Sequence, residues 1–319
     1  MLKRLMRAGT ALALIGAPLA LGAQTAPQPQ PQAQPQPPAA PAAPAAPAVV
    51  PVQARPALWV VRDADTTIYL MGTVHVLRPG IQWFEGPVRR AFDASGELVL
   101  ELVQPPAAEM QQIALGLGMS QTGPALSEKL SPERRALLAS TANGLGLPMA
   151  VVDRMDPWFA ALNLGVITML RAGFDPASGV EHQLTQAATA ANKPIVGLET
   201  AAQQLGYFDT LPEPVQLRYL GTTLDQLPRA NTMLDGMIAS WSAGQPDALA
   251  RTMNEAMVDT PEVARVLLAD RNTRWAAWIR DRMARPGTVF VAVGAGHLAG
   301  DASVQAALAR LNLRAERVQ

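Results

Sequence analysis

The sequence predicts a layered α/β fold, in which a central β-sheet is flanked by helices and carries a large helical insertion. Three observations carry that prediction. Apolar, β-rich runs alternate with helical stretches at both ends of the main body, helix signals are massed between them, and a Gly-x-x-His corner closes an apolar run at each end. The corners are "GTVH", ending at His75, and "GAGH", ending at His297, 222 residues apart. Their repetition raises an organisation in two related halves.

The first residues stand apart from the fold. "MLKRLMRAGTALALIGAPLALGAQ" sets Lys3, Arg4 and Arg7 before an apolar stretch and then small residues up to Ala23, the three regions of a secretory signal peptide. The apolar stretch is shorter than the roughly 20 residues that span a bilayer. Export with cleavage near Ala23 is therefore expected, and no stable membrane span afterwards; a retained anchor is the alternative. Residues 24–56 are almost entirely Pro, Ala and Gln. Lacking bulky side chains to offset their ordering entropy, they read as a semi-extended tether. The α/β domain is expected over residues 57–319.

"ALWVVRDADTTIYLMGTVHVL" reads as strand, turn and strand around Asp63-Ala64-Asp65. A short helix is expected from about Pro87, then a break at Gly96 and an apolar strand from Leu98 to Val103 with Glu101 inside it. Helices are expected from Pro105 to about Arg171. "SPERRALLASTANGLG" opens with a cap at Ser131 and Pro132 at the first helical position, and "DPWFAALNLGVITMLRAG" reads as a more buried helix. "GVEHQLTQAATAANKPIVGLETAAQQLGYF" gives helix, loop, strand and helix, with "PIVGLE" as the strand. A long helical region follows from about Pro214 to Met283, with Trp241, Trp275 and Trp278 as core bulk. The last strand is Val289 to Val293, before a closing helix and short tail.

Composition excludes several chemistries. There is no cysteine, so disulfides, thiolate metal sites and cysteine nucleophiles are absent, and any metal must sit on His, Asp, Glu and water. Basic and acidic side chains balance at 26 each, and loss of the three leader cations tips the mature chain slightly negative. That argues against a nucleic-acid partner.

Sites in layered α/β folds form beyond the carboxyl ends of strands. His75, Glu101, Glu199 and His297 have that address. Imidazole and carboxylate suit a divalent ion such as zinc or manganese. A histidine after a strand is more commonly a hydrogen-bonded loop residue, but the same corner on a second strand favours a functional pair. Glu101, inside "LVLELV", must face a partner or a cleft, because an unpaired buried carboxylate costs several kcal/mol; an ion pair to arginine is its structural alternative. His182 lies on an apparent helix and reads as a surface or packing residue. Arg271 and Asn272, in "LLADRNTRWAAW", are candidates to anchor a substrate.

At these residues the chain resembles the TraB/GumN family, bacterial relatives of the TIKI proteases. The shared pattern is "LWVV…IYLMGTVHVL", the carboxylate in "LVLELV", "DPWFAALNL", "GVEHQL", "KPIVGLETAAQQL", "DRNTRW" and "VFVAVGAGHLAG", in the family's order and over nearly all of the chain after the tether. The resemblance implies a metal-dependent hydrolase of peptides, distantly similar to erythromycin esterases and ChaN-type haem-binding proteins. It puts the paired histidines at His75 and His297, the strand glutamate at Glu101, the Arg-Asn pair at Arg271 and Asn272, and the Gly-Leu-Glu-Thr glutamate at Glu199. Two positions depart from the family: Glu181 stands where an aspartate is common, and Asp156 where a lysine precedes Pro-Trp. The expected ligands of the ion, of Mn, Co or Zn type, are His75, Glu101, His297 and Glu181. Glu199 or Glu181 is then the candidate general base or orients a ligand histidine, and Arg271 with Asn272 holds substrate or an oxyanion. The expected partner is a peptide or protein substrate in the periplasm or outside the cell. The alternative is a non-catalytic binding protein that captures haem or a peptide in the same cleft.

Overall fold

The computed structural model describes residues 52–319, so the expected leader and nearly all of the expected tether lie outside the described residues. The chain begins with β1 (Val52–Gln53), β2 (Leu58–Arg62), β3 (Thr66–Thr73), β4 (Ile81–Gln82), α1 (Gly86–Ala94) and β5 (Glu97–Leu102). Helices α2 (Ala107–Gly118), α3 (Pro132–Gly144), α4 (Met149–Val152), α5 (Pro157–Arg171) and α6 (Val180–Ala190) lead to β6 (Ile195–Glu199). Then come α7 (Ala201–Asp209), α8 (Glu213–Gln226), α9 (Ala230–Ser242), α10 (Pro246–Met257), α11 (Pro261–Ala264) and α12 (Asp270–Met283). The chain closes with β7 (Gly287–Gly294), α13 (Val304–Arg310) and β8 (Glu316–Arg317).

One six-stranded sheet, in the order β6-β5-β7-β3-β2-β8, forms the centre. β6, β5, β7 and β3 run parallel, while β2 pairs antiparallel with both β3 and β8. The parallel strands are apolar on both sides because helices cover both faces. Met71, Leu98, Leu100, Phe290 and Ala292 pack on one face with Phe92 of α1, Leu184 of α6 and Trp241 of α9. Leu70, Val99, Val289, Val291 and Val293 pack on the other with Trp275 and Ile279 of α12 and Leu308 of α13. The strict alternation along "VFVAV" thus feeds two cores at once.

The helical insertion has its own core, centred on Trp158 of α5, with Leu138 of α3, Phe208 of α7 and Leu220 of α8. Ser131 caps α3 as expected, accepting from the Arg134 N–H, with Pro132 in the first turn. Trp241 and Trp275 are buried and Trp278 only partly so. The two Gly-x-x-His corners lie on neighbouring strands of this single sheet, since β3 and β7 pair directly.

Two features go beyond the sequence reading. Val52 and Gln53 pair with Ile81 and Gln82, and Ala54 is buried, so packing against the domain begins before residue 57. The C-terminal tail adds β8 to the sheet edge. Strands of two residues carry too little alternation to be read from a pattern. Among the described residues no helix is long and apolar enough to cross a membrane.

Candidate functional site

The parallel strands bring four carboxyl ends to one pole of the sheet. Thr73, ending β3, is in register with Gly294, ending β7, and Leu102, ending β5, with Glu199, ending β6. His75 follows β3 by two residues, and His297 sits in a short 3-10 turn, Ala295–Leu298, directly after β7. Gly294 marks where they converge. A Cβ at that position would lie 3.0 Å from Glu101 Oε1, 3.6 Å from His297 Cδ2 and 3.9 Å from His75 Nε2. Two more glycines make the corners fit. A Cβ at Gly72 would stand 2.9 Å from the Ala295 backbone, and one at Gly179 would collide with the His75 carbonyl.

Glu101 is buried and fully engaged. Oε1 accepts from the Gly294 N–H at 2.5 Å, and Oε2 accepts from Arg271 Nη2 at 2.7 Å and Gln204 Nε2 at 3.3 Å. Arg271 is equally buried: Nη2 also donates to Glu199 Oε2 at 2.7 Å, and Nη1 donates to the Leu267 carbonyl and to His297 Nε2, each at 3.1 Å. A π-helical turn over Arg265–Ala269 precedes α12, and its Leu267 carbonyl helps hold the guanidinium. Glu199 further accepts from Trp275 Nε1, Tyr207 Oη and Gln204 Nε2 at 3.1–3.2 Å.

His297 has a defined tautomer. Arginine can only donate, so Nε2 is an acceptor, and Nδ1–H donates to Asn272 Oδ1 at 2.5 Å. Asn272 is held in turn through Nδ2, which donates to the Ala302 carbonyl. The Trp275 ring lies 4.3 Å from the imidazole, centroid to centroid.

His75 lies nearer the surface, its side chain 39% exposed. Glu181, in the first turn of α6, faces it: Nδ1 is 2.6 Å from Glu181 Oε1, an ion-pair contact without an aligned hydrogen bond. Thr73 donates to the same oxygen at 2.5 Å. The Val180 N–H to Val74 carbonyl bond ties the start of α6 to this corner. His182 points elsewhere and pairs with Gln186.

The electrostatics separate the two imidazoles. Burial pushes His297 down to about 3, reinforced by Arg271 and His75 and only partly opposed by Glu101. Burial also works against charge on His75, but Glu181 and then Glu101 outweigh it and raise the group to about 9. Glu101 is held down at about 2: burial opposes its charge, and the neighbouring His297, Arg271 and His75 with the Gly294 N–H prevail. Of these, Arg271 and His75 are the cations near neutral pH, since His297 itself stays neutral. Glu181 is likewise depressed, because His75 and Thr73 outweigh its burial.

Imidazole and carboxylate are the donors that zinc-like or manganese-like ions take. Each ring also has its Nδ1 beside an oxygen, the usual orientation of a metal-bound histidine. The donor chemistry therefore fits a divalent ion. The donor placement is already in use: His297 Nε2 and Glu101 Oε2 both accept from Arg271. Among the described residues no three His, Asp or Glu side chains are gathered in a ready metal-holding group.

The structure thus brings His75, Glu101, Glu181, Glu199, Arg271, Asn272 and His297 to one pole. It sets Asn272 behind His297 and Glu199 behind Arg271, away from open space. Sequence reasoning missed Thr73, Gln204 and Tyr207, and read Trp275 as core bulk only. Gln204 and Tyr207 follow Glu199 by five and eight residues on α7, a spacing visible only once Thr200 is seen to cap that helix.

Comparison with known proteins gives four findings. The sequence model described as the TraB/PrgY/gumN family matches residues 57–317. The chain is 28% identical over 186 residues to the uncharacterized protein YbaP of Escherichia coli (strain K12), a match covering 56% of this chain and 66% of YbaP, just under two thirds of that protein. It is 26% identical over 264 residues to an uncharacterized protein of Treponema pallidum (strain Nichols), covering 77% of this chain and 78% of that one. No solved structure matches.

Proposed function

The chain belongs to the TraB/PrgY/gumN family, and from that premise we propose that it is an exported, metal-dependent hydrolase acting on peptide amide bonds. The observation that best supports this reading is the meeting of His75, Glu101 and His297 around Gly294 at the carboxyl pole of the sheet. His75, His297 and Glu101, with Glu181 beside them, are the residues that would hold a Mn, Co or Zn ion, which when bound supplies a water made nucleophilic near neutral pH.

The remaining residues have roles of their own. Asn272 Oδ1 accepts from the His297 Nδ1–H and so fixes the tautomer whose Nε2 lone pair, which accepts from Arg271, would turn to the ion. Glu181 orients His75. Glu199 positions Arg271, whose Nη1, released if His297 Nε2 ligates the ion, would be the donor for an amide oxygen that becomes an oxyanion. Export rests on the leader, and N-terminal sequencing of the secreted chain should begin near Gln24.

The deciding experiment is elemental analysis of the mature protein after supply of Mn²⁺, Co²⁺ and Zn²⁺ in turn, with cleavage of a mixed peptide library. Near-stoichiometric metal and metal-dependent cleavage are expected. Absence of both from the wild type overturns the reading. A second reading, capture of haem or a peptide without turnover, is favoured by one observation: every oxygen of Glu101 is already hydrogen-bonded while His75 stays accessible. A Soret band on haemin titration, lost in His75→Ala, would select it.

A further inference from the structure

The outer edge of β6 is open. The Pro194 carbonyl accepts from the Leu98 N–H, and Leu98, Leu100 and Leu102 are in register with Ile195, Gly197 and Glu199. That register directs the main-chain groups of Val196 and Leu198 to β5, and turns those of Ile195, Gly197 and Glu199 outward. β6 is the last strand of the sheet, and among the described residues nothing hydrogen-bonds the outward groups of Ile195 or Gly197.

The two edges of the sheet are treated differently. At the far edge β8 is two residues long and both are charged, the usual protection against unwanted pairing. β6 reads Ile-Val-Gly-Leu before Glu199, with no charge along its open length. Val196 on β6 is 36% exposed, and Val103, just after β5, is 43% exposed. An uncharged edge flanked by exposed valines would be an aggregation hazard unless something occupies it. β6 also ends on Glu199, within the buried network of Glu101 and Arg271.

We infer that the open edge of β6 is the docking strand for an extended peptide, which adds to the sheet beside Ile195 and Gly197 and runs toward the pole where His75, Glu101 and Glu199 meet. Outward donors and acceptors recur every second residue, about 6.6 Å apart, and an extended polypeptide backbone matches that repeat. Main-chain pairing supplies affinity without sequence preference, and the valines favour an apolar side chain on the bound segment. The substrate class rests on the hydrolase reading; the docking geometry does not.

The test is amide hydrogen exchange, followed residue by residue by NMR on the mature protein without added metal. The probe is a short peptide of alternating valine and serine with a lysine at each end. At saturation, exchange at Ile195 and Gly197 should slow about tenfold or more, with no change at β8. The same peptide N-methylated at alternate residues should lose the effect. Unchanged exchange at both amides while the peptide binds or is cleaved overturns the docking strand and leaves the hydrolase reading intact. Protection without cleavage under any metal does the reverse. Protection already present before peptide is added also overturns it, since this chain or a second copy then holds the edge.

Discussion

Arg271 is a buried cation serving two carboxylates and an imidazole, and its removal tests what holds the pole together. Arg271→Ala leaves Glu101 and Glu199 buried without a counter-charge, so unfolding by denaturant should show a loss of about 3–5 kcal/mol. If the pole accepts a divalent ion, Zn²⁺ should restore more of the thermal midpoint in this variant than in wild type. It should restore nothing when His297→Ala is added. The pH profile of the metal-free protein follows from the same residues. Glu101 falls from 4.5 to about 2 and His297 from 6.5 to about 3 on folding, so the unfolded chain binds more protons. Stability should therefore decline as pH drops below about 6.5 and continue to fall toward 2. His75 has the opposite sign: raised from 6.5 to about 9, it stabilises fully below the first value, and that contribution is lost as pH rises through the second. Thermal midpoints across pH should show both limbs, and His75→Ala should abolish the alkaline one while also shifting the acid one, because His75 helps hold Glu101 and Glu181 down. The histidines and Glu101 were legible in the sequence because strand-end position and a repeated tetrapeptide are local signals. That Arg271 pairs with Glu101 across 170 positions was not, since only the fold brings them together.

At the level of elements, the carboxyl pole depends on glycines that let backbones touch. Gly72→Ala would drive a methyl group into the Ala295 backbone of the turn that carries His297. It should cost about 1–3 kcal/mol by denaturation and, on the proposed hydrolase reading, reduce metal uptake and cleavage together, as read by elemental analysis and peptide digestion. Ser131→Ala is the matched control. It removes the cap of α3, at about 1 kcal/mol, and should leave the pole untouched. The long elements were readable because their signals are redundant: "VFVAV" alternates into two cores, and α3 has cap, proline and terminal glycine. β1, β4 and β8 were not readable, because two residues paired by main-chain bonds leave no side-chain pattern. The π-helical turn before Arg271 also has no composition of its own.

Across the molecule, the sheet core and the helical core around Trp158 are distinct clusters, so they can be perturbed separately. Trp158→Ala should cost about 3–5 kcal/mol by denaturation, while any metal uptake proposed for the pole survives in the folded fraction. Limited proteolysis should leave a stable fragment beginning at or before Val52, since that residue already pairs with Ile81. The strand order has a further consequence, for the timing of assembly. β7 lies between β3 and β5, yet it is encoded some two hundred residues after them. Until residues 287–294 are synthesised, nothing can join β5 and β6 to β2 and β3. The last long strand closes the sheet from the middle, and both histidine corners come into register in that same event. Such a chain cannot complete its sheet before β7 is made, which postpones the assembly of the pole until nearly all of the polypeptide has been synthesised.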